Sequence, residues 1–287
     1  MIDLKYFLDF VEANKASFVK ILSESAKFEV KGILNSEMLL FCMLAKYLDC
    51  EEIIESGRAR GQSTEIIARY SKKIANNIKF SSIEFDRNSE DVKIAENRLK
   101  TFNENLELLY GDSLDLLPNI INQSERRKII LIDGPKGLDA LSLAFLCLKN
   151  ETVKAVCIHD IHKDTNYHRS LAELWPFYYV SDSKKFVDDY SYLDEKCWNE
   201  YQKYQEFKNW GPYQRSDKAM KSYGPTLFCL INDINENERI FLLKKIDKKI
   251  KRFKILKKTL NILRPLIPNF LKKNSLIKKF TSPLREI

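Results

Sequence analysis

All three histidines of this 287-residue chain fall in one stretch, HDIHKDTNYH, as His159, His162 and His168. Asp160 and Asp164 are interleaved with them, and Asp133 stands upstream in LIDGPKG, so the chain's densest set of proton-moving or cation-holding groups lies here. An imidazole titrates near neutrality, so His159 or His162 can take a proton from a hydroxyl directly, with Asp133 or Asp160 orienting the ring. His168 reads better as a loop histidine in a polar segment. A second stretch, IIESGRARGQSTEIIARY at residues 53–70, suits binding. Gly57 and Gly61 permit positive φ and close backbone approach, and a helix starting near Gln62, Ser63 and Thr64 turns unpaired N–H groups toward an anionic ligand group. The spacing E-x-G-x-x-x-G is not the G-x-G-x-x-G of dinucleotide sites. Glu55 at its head, followed by Ser56, would repel a pyrophosphate and suits a ligand that also carries positive charge.

A frame must bring these stretches together. From residue 51 onward, short β-prone runs alternate with longer segments of helical period, the pattern of βαβ units and a parallel sheet. The strands expected are EEIIES, IKFSSIEFD, LELLYGD, KIILIDG and KAVCIHD, with a later pair near PFYYVS and PTLFCLI. In such sheets ligands bind beyond the carboxyl ends of the strands. Glu84, which follows Gly57 by 27 residues at the end of the second strand, can accept hydrogen bonds from both ribose hydroxyls. The third ends in Gly111, Asp112 and Ser113, where Asp112 could accept from an adenine amino group. An amino acid joined to adenosine fits these ends together, which describes S-adenosylmethionine.

The motifs ESGRARG, SIEFD, YGDS, LIDG and IHD, in that order, resemble those of class I S-adenosylmethionine-dependent methyltransferases over roughly residues 30–232. Within that fold the chain is similar to small-molecule O-methyltransferases of the catechol type and to relatives acting on sugars of antibiotics or surface glycans. The resemblance implies a Rossmann-like, seven-stranded, mostly parallel α/β sheet with flanking helices. It implies that Glu55, Ser56, Gly57, Gly61 and Ser63 surround the methionine part, that Glu84 binds ribose, and that Asp112 or Ser113 meets adenine, with Asp133 close by. It also implies that Asp133 and Asp160 can hold a divalent metal, for which Mg2+ suits two carboxylates and waters. Ile161 stands where the catechol enzymes use a side-chain amide, and a histidine precedes Asp160, so a metal-free scheme with a histidine base stays equally open.

Around this frame the sequence places further parts. Residues 1–50 hold two amphipathic segments, near 3–27 and 36–49, expected as an N-terminal helical extension packed on a catalytic domain at 51–239. Residues 183–222 are dense in tyrosine and tryptophan, expected either as helical core or as a lid over an acceptor. Residues 240–287 hold 15 Lys/Arg against 2 acids, which leaves 33 against 38 in the body. Leu243, Ile246, Ile250, Phe253, Leu256, Leu260 and Leu263 recur at helical spacing there, so a basic amphipathic helix is expected. Such a helix suits an anionic membrane surface, and a seam between subunits or packing on the body are its competitors. Nucleic acid is not expected as a partner, because basic charge concentrated in a tail on an acidic body is an anchor and not a binding groove. Six cysteines with no CxxC pair suit a reducing cytosol, and MIDLKYF lacks a signal peptide's apolar core.

The activity expected is O-methyl transfer to a sugar hydroxyl in a glycan or glycolipid precursor, in polysaccharide biosynthesis at the inner face of the cytoplasmic membrane. A non-catalytic methyltransferase-fold module in a glycan assembly complex, or a metal-dependent hydroxylase-type relative, is the alternative. The acceptor's identity and a homo-oligomeric state are left open by the sequence.

Overall fold

The computed structural model describes residues 4–25, 32–74, 78–102, 104–161, 165–201, 203 and 226–248. Seven strands form one sheet in the order β3-β2-β1-β4-β5-β7-β6. They are β1 (Glu52–Ser56), β2 (Lys79–Glu84), β3 (Leu106–Tyr110), β4 (Lys128–Ile132), β5 (Val153–Ile158), β6 (Tyr178–Val180) and β7 (Phe228–Ile231). The first five are parallel, and β7 runs antiparallel between β5 and β6. The fold is thus a Rossmann-like α/β sheet; six strands fall inside the runs expected from the sequence, and β5 begins one residue before its run.

Side chains alternate across this sheet with period two, because successive residues of a strand face opposite sides. Ile53, Leu131, Cys157 and Cys229 enter one core layer with helices α1 (Leu4–Glu24), α2 (Asn35–Tyr47) and α3 (Gln62–Lys73). Ile54, Ile130, Val156 and Phe228 enter the other, beneath α5 (Ser113–Ile121), α6 (Gly137–Cys147) and α7 (Asn166–Leu174). The layers are joined through the sheet, so both faces of the central strands are dry, as parallel pairing demands.

The amino-terminal helices belong to the body. Phe7 of α1 stacks on Tyr179 of β6 with ring centroids 4.7 Å apart, and Phe7, Phe18 and Phe41 are fully buried. Burying each such ring stabilises the fold by roughly 1.5–3 kcal/mol. The start of α2 is fixed from the far end of the chain, where buried Asp194 accepts from the Ser36 N–H at 2.8 Å and its hydroxyl at 2.6 Å. That contact sets the position of the neighbouring Glu37.

Two expectations about the later segments change. Tyr190, at the end of α8 (Lys184–Tyr190), is buried against Phe186 at 4.7 Å and is core, not lid. The helix at residues 236–248 contains the first turns of the basic tail, yet Leu242 and Ile246 are buried in the second core layer and Lys149 pairs with Asp247 at 3.1 Å. Its apolar face is therefore spent on the body, not on a membrane, as far as residue 248. The rest of the tail, and the aromatics from Tyr204 to Tyr213, lie outside the described residues. Among the described residues no helix is long and apolar enough to cross a membrane.

Candidate active site

Strand order reverses between β1 and β4, and at such a switch point the flanking connections diverge and leave a crevice at the carboxyl ends. The chain closes the floor of this crevice tightly. Asp133 and Gly134 both donate backbone N–H groups to the Ser56 carbonyl, at 2.7 and 2.9 Å, and the Ser56 hydroxyl bonds the Ser113 hydroxyl at 2.7 Å and the Gly134 carbonyl. Gly57 has φ +91°, and a Cβ placed on it would lie 2.5 Å from the Gly134 nitrogen. Only glycine serves both demands. Gly61, at φ +76°, stands as N-cap of α3.

On the β1, β2 and β3 side, two acids are used differently. Glu55 is fully buried, and its carboxylate accepts from the hydroxyls of Ser63 and Thr64 at 2.5 Å each and of Ser82 at 2.6 Å. Burial raises its pKa above the ordinary value, against the opposing pull of those hydroxyls and of Arg58. The expectation that Glu55 presents its charge to a ligand is corrected, because its oxygens are filled from α3 and β2. Ser63 is spent in the same contact. The charge left at the turn is that of Arg58, which is buried over the Tyr110 ring at 4.9 Å with one guanidinium nitrogen on the Ser82 carbonyl at 2.7 Å. Its Nε and Nη2 have no hydrogen-bond partner among the described residues.

Glu84 is only partly buried and accepts three backbone N–H groups, from Arg58 at 2.9 Å, Ala59 at 2.7 Å and Phe85 at 2.9 Å. A carboxylate has about four acceptor positions, so one remains. Glu84 thus keeps acceptor capacity for a ligand hydroxyl. Next to it Phe85 leaves 73% of its surface exposed, an open aromatic face that the sequence reading overlooked. Asp112 caps α5 through one oxygen, accepting from the Leu114 N–H at 2.8 Å.

On the β4 and β5 side the site is ionic. Lys136 bridges Asp133 at 2.5 Å and Asp160 at 2.7 Å. His159, with only 2% of its side chain exposed, lies between Asp133, 2.7 Å from Nδ1, and Glu37 of α2, 3.4 Å from Nε2. Burial alone would lower the His159 pKa, but the two carboxylates outweigh it and hold the ring well above its ordinary value. Burial likewise pushes Asp133 up, while His159 and Lys136 pull it below the usual carboxylate range. Desolvation opposes the charge on Lys136, yet Asp133 and Asp160 raise its pKa. The result is a charged cluster with two cations fixed among three acids.

In this cluster both ring nitrogens of His159 face carboxylates, which favours the charged form of the ring. His162 lies outside the described residues. His168 meets the rings of Tyr178 and Phe228 and is packed, not catalytic. Asp133, His159 and Asp160 present ligand atoms within 4.8 Å of one another, yet they do not fit a divalent ion. The Lys136 ammonium already bridges both carboxylates, the imidazole nitrogens face carboxylates, and Ile161, 6% exposed, offers no donor. Glu37 and Lys136 were not picked out from the sequence. Lys136 stands three residues after Asp133, a spacing that in hindsight marks a partner, whereas Glu37 gives no local signal.

No protein-family model matches the chain, and no curated protein matches it. Solved structures similar to it include the O-methyltransferase TomG from Streptomyces achromogenes, involved in tomaymycin synthesis and bound to S-adenosylmethionine. It is 16% identical, with a TM-score of 0.42, and the match covers 80% of this chain and 99% of that one. An O-methyltransferase from Bacillus cereus in complex with S-adenosylhomocysteine is 16% identical over 63% of this chain and 84% of its own, with a TM-score of 0.42. A methyltransferase from Geobacter sulfurreducens is 20% identical over 50% and 68%, with a TM-score of 0.33. Likeness at this level concerns architecture, and function is read from the side chains.

Proposed function

We propose that this chain is an S-adenosylmethionine-dependent O-methyltransferase. The observation that carries the reading is the succession of groups along the strand ends. Glu84 and the open Phe85 face stand at β2, the glycine turn at the switch point, and a charged cluster at β4 and β5. Glu84 has one acceptor position for a ribose hydroxyl, Phe85 has a face for adenine, and Asp112 has a second carboxylate oxygen for the adenine amino group. Arg58 brings positive charge and two guanidinium nitrogens without a partner among the described residues to the turn, for the carboxylate of the amino-acid part. The antiparallel β7 between β5 and β6 departs from the order of dinucleotide-binding sheets and weighs against a pyrophosphate cofactor.

When bound, S-adenosylmethionine supplies an electrophilic methyl group on a sulfonium, and the transfer leaves a neutral thioether. The chain's own task is to hold an acceptor oxygen in line and to take its proton. Asp160, which meets Lys136 at 2.7 Å and His159 at 3.5 Å and has 42% of its side chain exposed, is the carboxylate we assign to receive it. The acceptor assigned is a sugar hydroxyl in a glycan or glycolipid precursor at the inner membrane face. Its placement at a membrane face is supported by the 15 Lys/Arg against 2 acids in residues 240–287, at about 1 kcal/mol per basic residue near anionic lipid.

The test is incubation of the full chain with methyl-labelled S-adenosylmethionine and a panel of nucleotide-linked and lipid-linked sugars. Label transferred to one class, with S-adenosylhomocysteine released in equal amount, is the expected result. Cofactor binding without transfer to any hydroxyl would leave a non-catalytic module, and oxygen consumption would point to a hydroxylase.

A further inference from the structure

Lys136 holds the place that a divalent ion would need. Its ammonium lies 2.5 Å from Asp133 Oδ1 and 2.7 Å from Asp160 Oδ2, so the two carboxylates converge on one positive centre from adjacent strand ends. The Asp133 oxygen that meets Lys136 also meets His159 Nδ1 at 2.7 Å. On its other side His159 faces Glu37, which is itself fixed by the Leu34 N–H at 2.8 Å and the Thr226 N–H at 2.5 Å. Turning the imidazole to ligate an ion would break its contact with Asp133. Among the described residues of the loop, the next neighbour, Ile161, is buried and its side chain has no ligand atom.

We propose that Lys136 is the resident cation of this site, that the chain takes up no divalent ion there, and that Lys136 positions the acceptor oxygen. An ammonium has three N–H groups, and two are spent on Asp133 and Asp160. The third is available to the acceptor oxygen, which it orients while the neighbouring carboxylate receives the proton. A dication drawn to these carboxylates would meet two cations already in contact with them, and like charges at such distances repel. The positioning role rests on the methyl-transfer reading, whereas the exclusion of divalent ions does not.

Mn2+ binding to the full-length chain, followed by electron paramagnetic resonance with no S-adenosyl compound present, tests this without reference to activity. The wild type should show no saturable site up to about 1 mM, the weak end of carboxylate sites. Lys136→Ala should gain one site, roughly tenfold tighter or more, because the cation that competes for Asp133 and Asp160 is gone. Lys136→Arg, which keeps the charge, should stay without one. Lys136 is about half exposed, and far-UV circular dichroism of each variant checks that the fold persists. A saturable Mn2+ site in the wild type, or no gain in a folded Lys136→Ala chain, overturns the proposal. Failure to bind S-adenosylhomocysteine would overturn the methyl-transfer reading instead and leave these results as they stand. For the positioning role, Lys136→Arg should restore KM for the acceptor relative to Lys136→Ala, and equal KM in both would contradict it.

Discussion

Glu55 and Asp133 end adjacent parallel strands, and the chain treats their charge in opposite ways. Glu55 is enclosed by three hydroxyls and its pKa rises through burial. Asp133 meets two cations, which overcome burial and hold its pKa down. One side of the switch point thus keeps its buried acid toward neutrality, while the other fixes charge. A turn that must admit a ligand with its own charges gains from a quiet floor, and a site that must orient a polar acceptor gains from a rigid electrostatic frame.

Breaking the ionic side should have the largest effect. Asp133→Ala leaves the His159 imidazolium and Lys136 without their shared partner, and loss of one member of a buried pair costs about 3 kcal/mol or more. Urea unfolding at neutral pH measures it. Gly57→Ala comes next, since a Cβ would meet the Gly134 backbone at 2.5 Å and φ is +91°. Strain of this kind costs on the order of 1–3 kcal/mol, and thermal unfolding should register it.

The pH dependence separates the two acids by sign. The folded pKa of Asp133 is depressed, so its contribution is present above its ordinary value of 3.8 and is lost as pH falls through the folded value. The folded pKa of Glu55 is raised above 4.5, so its contribution is fully present below that value and is lost as pH rises through the folded one. Asp133→Asn should therefore lessen the loss of stability in acid, and Glu55→Gln should deepen it. Equal slopes in the two variants would erase the distinction. His159, raised above 6.5, contributes below that value and loses its contribution as pH rises through its folded pKa, so His159→Gln should flatten the alkaline limb.

The smallest effect is expected at the surface. Phe85→Ala removes an exposed ring and should change stability by less than about 0.5 kcal/mol. It should still weaken S-adenosylhomocysteine by about tenfold, since stacking on an aromatic side chain contributes roughly 1–3 kcal/mol per base. Unchanged affinity would remove Phe85 from the adenine site.

The first five strands were legible because each is a short run ending on a polar or acidic residue, and period-two burial follows from the pleat. The glycine turn was legible because few residue types tolerate φ +91° against a neighbouring backbone. What could not be read was the environment of each acid. EIIES does not announce that three hydroxyls from α3 and β2 will enclose Glu55, and Glu37 reaches His159 from a helix 122 residues earlier in the chain. Long-range pairing decides whether an imidazole is a base or a fixed cation, and composition near the imidazole does not encode it. The start of the tail was ambiguous for a similar reason, because an apolar stripe serves a core as well as a bilayer, and Ile246 lies in the core.

The most direct measurement of the central claim is titration calorimetry of the full chain with S-adenosylhomocysteine. The account predicts one site in the micromolar range, about −7 to −8 kcal/mol, weakened roughly tenfold in Glu84→Ala by loss of one hydrogen bond to a charged group. No binding heat at millimolar ligand, with the protein folded, would contradict it.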